Sequence, residues 1–335
     1  MIRETRPPGG HRMPLIIEAA GGRQDLADTV RNCSAPLHER LLEHGALLFR
    51  GFRMAHLEDF ARFAREVSPE RSDYLYRSTP RTLLADRIFT ASEYPPAQEI
   101  ALHNENAYQR IWPLKIAFCC LQPAPSGGET PIADMRKVSA ALGQGLLDEL
   151  ESRRIRYLRH YRPRVDLPWQ SVFQTEDRTA LARFCNEHDI SHEWLDADTL
   201  RTAQVCQGTA RHPVLAERVF FNQAHLFHVS HMGEAAARSA IELFGRERLP
   251  RQAAFGDGKD IPLEYLERIR ASFREHMITF AWRAGDVLLL DNMQAAHGRR
   301  PFRGTRQVLA TLLEPSSTRP LAGETSSRGE EFHAF

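Results

Sequence analysis

Asp286-Val287-Leu288-Leu289-Leu290-Asp291-Asn292-Met293-Gln294-Ala295-Ala296-His297-Gly298-Arg299 reads as a short apolar strand, a polar turn and a histidine delivered beyond it. Four consecutive aliphatic side chains, Val287 to Leu290, are the densest apolar run in the chain and give it strand character. A histidine past a strand end, followed by glycine, is well placed to face a pocket mouth. Working outward, Gln307 to Leu313 has strand character again, and Leu114 to Gln122 is a third buried strand that Pro123, Pro125, Gly127 and Gly128 force into a loop. Ala46 to Phe52 makes a fourth strand. Ahead of it Ser34 can cap a helix with Leu37, Leu41 and Leu42 on one face and Gly45 at its end; after it Leu57, Phe60, Phe63 and Val67 fall at helical spacing. From about 140 to 275 the pattern shifts to helices separated by polar segments. Strands at both ends around a helical middle predict one mainly β domain with helical insertions over residues 13–314. Residues 1–12, rich in Arg, Pro and Gly, are expected to be flexible, and 315–335 to form a polar tail.

Composition narrows the function classes. Across 335 residues, 44 Lys plus Arg balance 43 Asp plus Glu, so the formal net charge is +1 and no global attraction to nucleic acid or anionic membrane is expected. No stretch approaches the roughly 18 apolar residues of a spanning helix, and the N-terminal residues carry no apolar signal core. The five cysteines are odd in number and lack a C-x-x-C, which argues against a disulfide framework or a zinc knuckle. The expectation is a reduced, cytoplasmic protein.

Among the 15 histidines two places stand out. In Leu102-His103-Asn104-Glu105-Asn106 the imidazole and the carboxylate are two positions apart, so on an extended segment they point to one side. His297 lies beyond the apolar strand. Together His103, Glu105 and His297 can supply a two-histidine, one-carboxylate facial triad, a donor set that suits non-haem Fe(II) and oxygen chemistry better than a closed zinc site. A rival cluster, His225, His228 and His231, repeats every three residues but contains no acid and lies among Phe and Leu. It reads as pocket wall or ordinary packing.

The segment from His103-Asn104-Glu105 to Ser126-Gly127-Gly128-Glu129-Thr130-Pro131-Ile132-Ala133-Asp134 resembles the Fe(II)/2-oxoglutarate-dependent dioxygenases of the taurine dioxygenase and clavaminate synthase superfamily. The distal counterpart runs from Trp282-Arg283-Ala284-Gly285-Asp286 through His297-Gly298-Arg299 to Gly304-Thr305-Arg306, and Leu48-Phe49-Arg50-Gly51-Phe52 is a further family-like segment. Phe221-Asn222-Gln223-Ala224-His225 is most similar to the syringomycin-associated hydroxylases found beside nonribosomal peptide synthetases.

The resemblance implies a double-stranded β-helix, or jelly roll, with iron at one open end. It assigns His103, Glu105 and His297 as metal ligands and Thr130 and Arg306 as the 2-oxoglutarate anchors, with Arg299 and Arg303 as nearby competitors for the second role. The chemistry implied is oxidative decarboxylation of 2-oxoglutarate, using O2, to succinate and carbon dioxide, coupled to hydroxylation of an unactivated carbon. Halogenating relatives have a small residue at the carboxylate position, so Glu105 favours hydroxylation. By analogy Asn106, Tyr108, Asn222 and His225 are candidate substrate contacts. The expected substrate is an amino acid, free or tethered to a peptidyl carrier protein. The basic run Arg153, Arg154, Arg156, Arg159, Arg162 and Arg164 is either a solvated strand face or a docking surface for such an acidic partner. A second copy of the chain is a further candidate partner. The alternatives are a catabolic taurine- or aryloxyalkanoate-type dioxygenase and a non-catalytic regulator that binds 2-oxoglutarate or metal on the same fold.

Overall fold

Two-residue periodicity divides the apolar run Val287 to Leu290 between two cores. Val287 and Leu289 pack on one side with Leu47, Phe49, Phe60 and Phe63, whereas Leu288 and Leu290 pack on the other with Leu48, Ile116, Phe118 and Ile132. A strand covered on both faces has no reason to alternate in sequence, which is why Val287 to Leu290 of the strand Val287–Asp291 are all apolar. In the computed structural model, which describes residues 2–21, 24–72 and 74–317, this strand lies inside an eight-stranded sheet. The spatial order is Ile2–Thr5, Leu15–Ala19, Ala46–Arg50, Val287–Asp291, Ile111–Gln122, Gln307–Ser317, Ile88–Thr90 and Leu83–Ala85. Only the contact between Leu15–Ala19 and Ala46–Arg50 is parallel.

One face of this sheet is covered by the helices Leu26–Asn32, Ser34–His44 and Leu57–Val67. The other faces a four-stranded sheet of Met277–Ile278, Ile132–Asp134, Ala295–Arg299 and Ile100–His103, whose Ile132 and Ala295 share a core with Leu288 and Phe118. These two facing sheets make the expected double-stranded β-helix, with the histidine-bearing strands in the smaller one.

The middle of the chain departs from expectation. Residues 140–275 do contain helices, including most of Met135–Arg153 and all of Leu263–Glu275, but they also build a third sheet, antiparallel, in the order Ser191–Trp194, Leu200–Cys206, Ile155–Tyr161, Arg251–Phe255. The reason is legible afterwards: Ile155-Arg156-Tyr157-Leu158-Arg159 alternates, but with arginine in a buried position. Arg159 is 1% exposed, its guanidinium lying over the rings of Tyr76 and Tyr161 and donating to the Arg77 carbonyl. Arg153 pairs with Glu149 and Asp257. The basic run therefore does not form one exposed docking surface.

Two smaller expectations are corrected. Residues 2–5 are not a loose end: they pair antiparallel with Leu15–Ala19 and Arg3 bonds Glu18. An edge strand needs only backbone partners, which composition does not report. Ser34 is the first helical residue, not the cap, and Gly45 ends that helix in the left-handed conformation, as expected. Of the expected polar tail, residues 315–317 complete the strand Gln307–Ser317, and 318–335 lie outside the described residues. Among the described residues no helix is long and apolar enough to cross a membrane, and all five cysteines are free thiols.

Candidate active site and metal centre

Strand register brings the two histidines together. His297 and His103 are direct partners across the antiparallel pair Ala295–Arg299 and Ile100–His103, with ring centroids 4.6 Å apart. The chain then turns through Asn104 and Glu105, and one ligand atom from each of His103, Glu105 and His297 lies within 4.8 Å of the others. Glycine after His297 has a steric reason. A Cβ on Gly298 would sit 2.6 Å from the Ile100 carbonyl oxygen, so the His103 strand can approach only a glycine. Gly298→Ala should push these strands apart and weaken Fe(II) binding on the order of 10- to 100-fold, the range for disturbing the support of a metal ligand. An unchanged iron titration would show that the close approach does not matter.

The surroundings fit a cation held by two neutral imidazoles and a carboxylate. His103 donates from Nδ1 to the Ala101 carbonyl at 2.8 Å, which leaves Nε2 with its lone pair. Burial lowers its pKa to about 4, with the His297 ring adding to the effect, so the imidazole is neutral, the form that binds metal. The Nδ1 of His297 is buried with no hydrogen-bond partner. Glu105 is almost wholly buried, yet its carboxyl is held below the usual range, because Arg81 and the neighbouring His297 outweigh desolvation. Arg81 donates to Glu105 Oε2 at 2.9 Å, and His297 Nε2 lies 3.4 Å from the same oxygen.

Several supporting residues escaped the sequence reading. Arg81 is as buried as its partner, stacks on Tyr74 and keeps Nε and Nη1 without partners. Asn292 clamps the backbone of Glu105 from both sides, accepting from its N–H at 2.7 Å and donating to its carbonyl at 3.0 Å. Asn104 donates to the Asn292 carbonyl, and Gln223 to that of Asn104. For Asn292 the available signal was an asparagine directly after a strand in the Asp286–Arg299 stretch. Arg81 carried none, since it lies in an irregular segment far from every motif.

The two proposed cosubstrate anchors also converge. Thr130 and Arg306 line the same cavity as the three metal-centre residues. Arg306 donates from Nε to the Gly128 carbonyl at 2.9 Å and has Nη2 3.5 Å from the Thr130 hydroxyl, which in turn accepts from Trp282 Nε1 at 3.0 Å. Desolvation lowers the guanidinium to about 10, and no carboxylate among the described residues pairs with it. A buried cation facing a cavity without a counterion suits an incoming carboxylate. The competitors are otherwise engaged or outside: Arg299 is buried and donates to the carbonyls of Ser92, Tyr94, Pro95 and Gln98, and Arg303 is exposed on the short strand Phe302–Arg303.

The candidate substrate contacts divide. Tyr108 lines the cavity, its hydroxyl donating to the Tyr76 carbonyl and its ring against Phe227. Asn106 does not line it; with φ at 56° it makes the left-handed turn after Glu105, a conformation asparagine tolerates. Asn222 is also outside, donating to the Gly208 carbonyl and accepting from the Ala224 N–H where the chain enters the helix Ala224–Phe227. Its neighbour Gln223 faces the cavity instead. His225 turns away to donate to the Leu102 carbonyl at 3.0 Å and stack on Phe273, bracing the His103 strand from behind. His228 and His231 line the cavity, as the pocket-wall reading of that cluster expected.

The cavity that gathers these groups measures about 830 Å³. Residues 5–312 match the family described as taurine catabolism dioxygenase TauD, TfdA family. The chain is 40% identical over 280 residues to the dapdiamide synthesis protein DdaC of Enterobacter agglomerans, covering 84% of this chain and 85% of that protein. It is 30% identical over 300 residues to the clavaminate synthase-like protein At3g21360 of Arabidopsis thaliana, covering 86% and 87%. In three dimensions it resembles PvcB, an iron- and alpha-ketoglutarate-dependent oxygenase from an isonitrile synthetic pathway, known from Pseudomonas aeruginosa, with a TM-score of 0.51 at 17% identity over 93% of this chain and 91% of that one.

Proposed function

Since this chain belongs to the TauD, TfdA family and is an Fe(II)- and 2-oxoglutarate-dependent dioxygenase, we propose that it hydroxylates an amino acid in natural-product biosynthesis, at the β-carbon. The observation that carries the reading is the convergence of His103, Glu105 and His297 with Thr130 and Arg306 on one cavity. Likeness to a protein of dapdiamide synthesis favours biosynthesis over catabolism of taurine or aryloxyalkanoates. A complete triad and a guanidinium free to take a carboxylate favour turnover over mere binding.

In this reading His103, Glu105 and His297 hold the iron. Bound iron supplies the oxidative decarboxylation of 2-oxoglutarate to succinate and carbon dioxide that drives oxygenation of an unactivated carbon. The rest is the work of this chain. Arg306 binds the distal carboxylate of 2-oxoglutarate, with Thr130 orienting both. The Ala101 carbonyl fixes the His103 tautomer, and Asn292 fixes the backbone that presents Glu105. Arg81 keeps the Glu105 carboxylate ionised and in one orientation. Glu105 occupies the position a halide would need, so oxygen transfer is the outcome. Phe118, Tyr108 and Phe227 exclude water from the space where the substrate carbon lies.

The experiment is to offer the iron-loaded enzyme the free amino acids and aminoacyl-loaded peptidyl carrier protein in parallel, scoring succinate release and a mass gain of one oxygen. Oxygen gain on the amino-acid unit, free or carrier-bound, is the expected result, and the parallel arms tell which form is taken. Turnover of a sulfonate or aryloxyacetate alone would overturn the amino-acid assignment.

A further inference from the structure

Besides His103, Glu105, Thr130 and Arg306, the cavity is lined by Leu226, Val229, Met232, Leu243, Phe244 and Leu249, with Asp166, Arg251, His228 and His231 among them. Of the large apolar side chains most exposed on the described surface, Leu83, Leu84, Tyr94, Val165, Val214, Met232, Leu243 and Leu263, four line this one cavity: Tyr94, Val165, Met232 and Leu243. Leu243 is 75% exposed and Met232 57%. Scattered exposed leucines need no explanation, but a cluster rimming the mouth of a catalytic cavity marks a binding surface.

The element that presents them is built for this. In the helix Glu234–Phe244, Ala240, Leu243 and Phe244 fall at helical spacing on the face that lines the cavity. The helix packs on its own flanks, Val229–Met232 and Arg246–Arg248, through a small core of Val229, Ala237, Ala240 and Leu249 that is separate from the main ones. On that face Ala240 is buried and Arg162 lies over the Phe244 ring, while Leu243 is left open to the cavity mouth. The cavity has about 830 Å³, within the range of sites that take drug-sized ligands.

We infer that the substrate is an extended molecule, an amino-acid-like head joined to a mainly apolar acyl-type arm that runs along the face of Glu234–Phe244 and out past Leu243 and Met232. The space is continuous with the metal centre, so its occupant is part of the molecule whose head reaches that centre. The inference rests on the proposed function only for the nature of the head.

The test is calorimetric binding of glycine derivatives to protein loaded with Mn(II) and N-oxalylglycine, which stand in for Fe(II) and 2-oxoglutarate. Two homologous series are used, N-acylglycines and glycine alkylamides, with chains lengthened one methylene at a time. Affinity is expected to rise roughly two- to fourfold per methylene in at least one series, as burial of apolar surface requires. Leu243→Glu and Met232→Glu, at positions too exposed to threaten folding, should flatten that rise, while Leu263→Glu, at an exposed leucine outside the cavity, should leave it intact. Affinity independent of chain length in both series, or a rise that survives both mouth substitutions, would overturn the inference. The two readings fail separately. Chain-length dependence without oxygen gain on any amino acid removes the head assignment and keeps the arm, whereas oxygen gain with no chain-length dependence does the reverse.

Discussion

Glu105→Ala is expected to abolish 2-oxoglutarate-dependent succinate formation and, unlike His103→Ala or His297→Ala, to cost stability as well. All three substitutions remove a candidate metal ligand from a group whose donor atoms lie within 4.8 Å of one another. The two imidazoles lose less: His103 bonds the Ala101 carbonyl, and His297 has Nδ1 without a partner and Nε2 3.4 Å from Glu105 Oε2, which Arg81 still holds. Glu105 is the counter-charge of Arg81, and both side chains are 4% exposed at a separation of 2.9 Å. Without it the guanidinium is a buried, uncompensated cation, and breaking such a pair costs about 3–5 kcal/mol. The double variant Glu105→Ala with Arg81→Met should recover much of that stability, since an apolar side chain replaces the stranded charge, and should stay inactive. Denaturant unfolding of the metal-free proteins and a succinate assay separate the effects. Wild-type stability in Glu105→Ala would show that the ion pair contributes nothing, and full activity in any single variant would remove that residue from the triad.

Arg306→Ala should raise the 2-oxoglutarate requirement roughly ten- to hundredfold while changing substrate affinity far less. The guanidinium is desolvated, has no acidic partner among the described residues and faces the cavity beside Thr130. A hydrogen bond to a charged group contributes about 1.5–3 kcal/mol, which is the fold-change given. Thr130→Val should act in the same direction but more weakly, because it removes a neutral hydroxyl and leaves Trp282 Nε1 without its acceptor. Arg299→Ala is the contrasting case. It strips donors from the carbonyls of Ser92, Tyr94, Pro95 and Gln98, so it should lower thermal stability and leave the 2-oxoglutarate dependence near that of the wild type. Titrating 2-oxoglutarate at saturating iron decides the matter. If Arg299→Ala shifts that titration and Arg306→Ala does not, the anchor is misassigned.

What the sequence determined by itself was whatever depends on local order along the chain. The apolar run Val287–Leu290 called for a strand, and the two-residue step from His103 to Glu105 put both side chains on one side. The order of His103, Thr130, His297 and Arg306 carried the family resemblance, and with it the metal and cosubstrate assignments. In the middle of the chain the run around Ile155–Tyr161 was legible only as a solvated strand face, because its inward position holds a buried arginine, Arg159, whose charge is tolerated where Tyr76 and Tyr161 face it. Which polar residues meet the substrate was hidden for a related reason. Asn222 and Gln223 are neighbours in sequence, but one ties its amide to the Gly208 carbonyl and the Ala224 N–H and the other faces the cavity, and that choice is made by the turn between Arg218–Phe220 and Ala224–Phe227. Arg81 lies outside every motif, and only packing brings it to Glu105. Local patterns report which backbone form a segment prefers, but a buried charge or a cavity wall is an energy shared between segments distant in the chain, so only the tertiary structure could decide it.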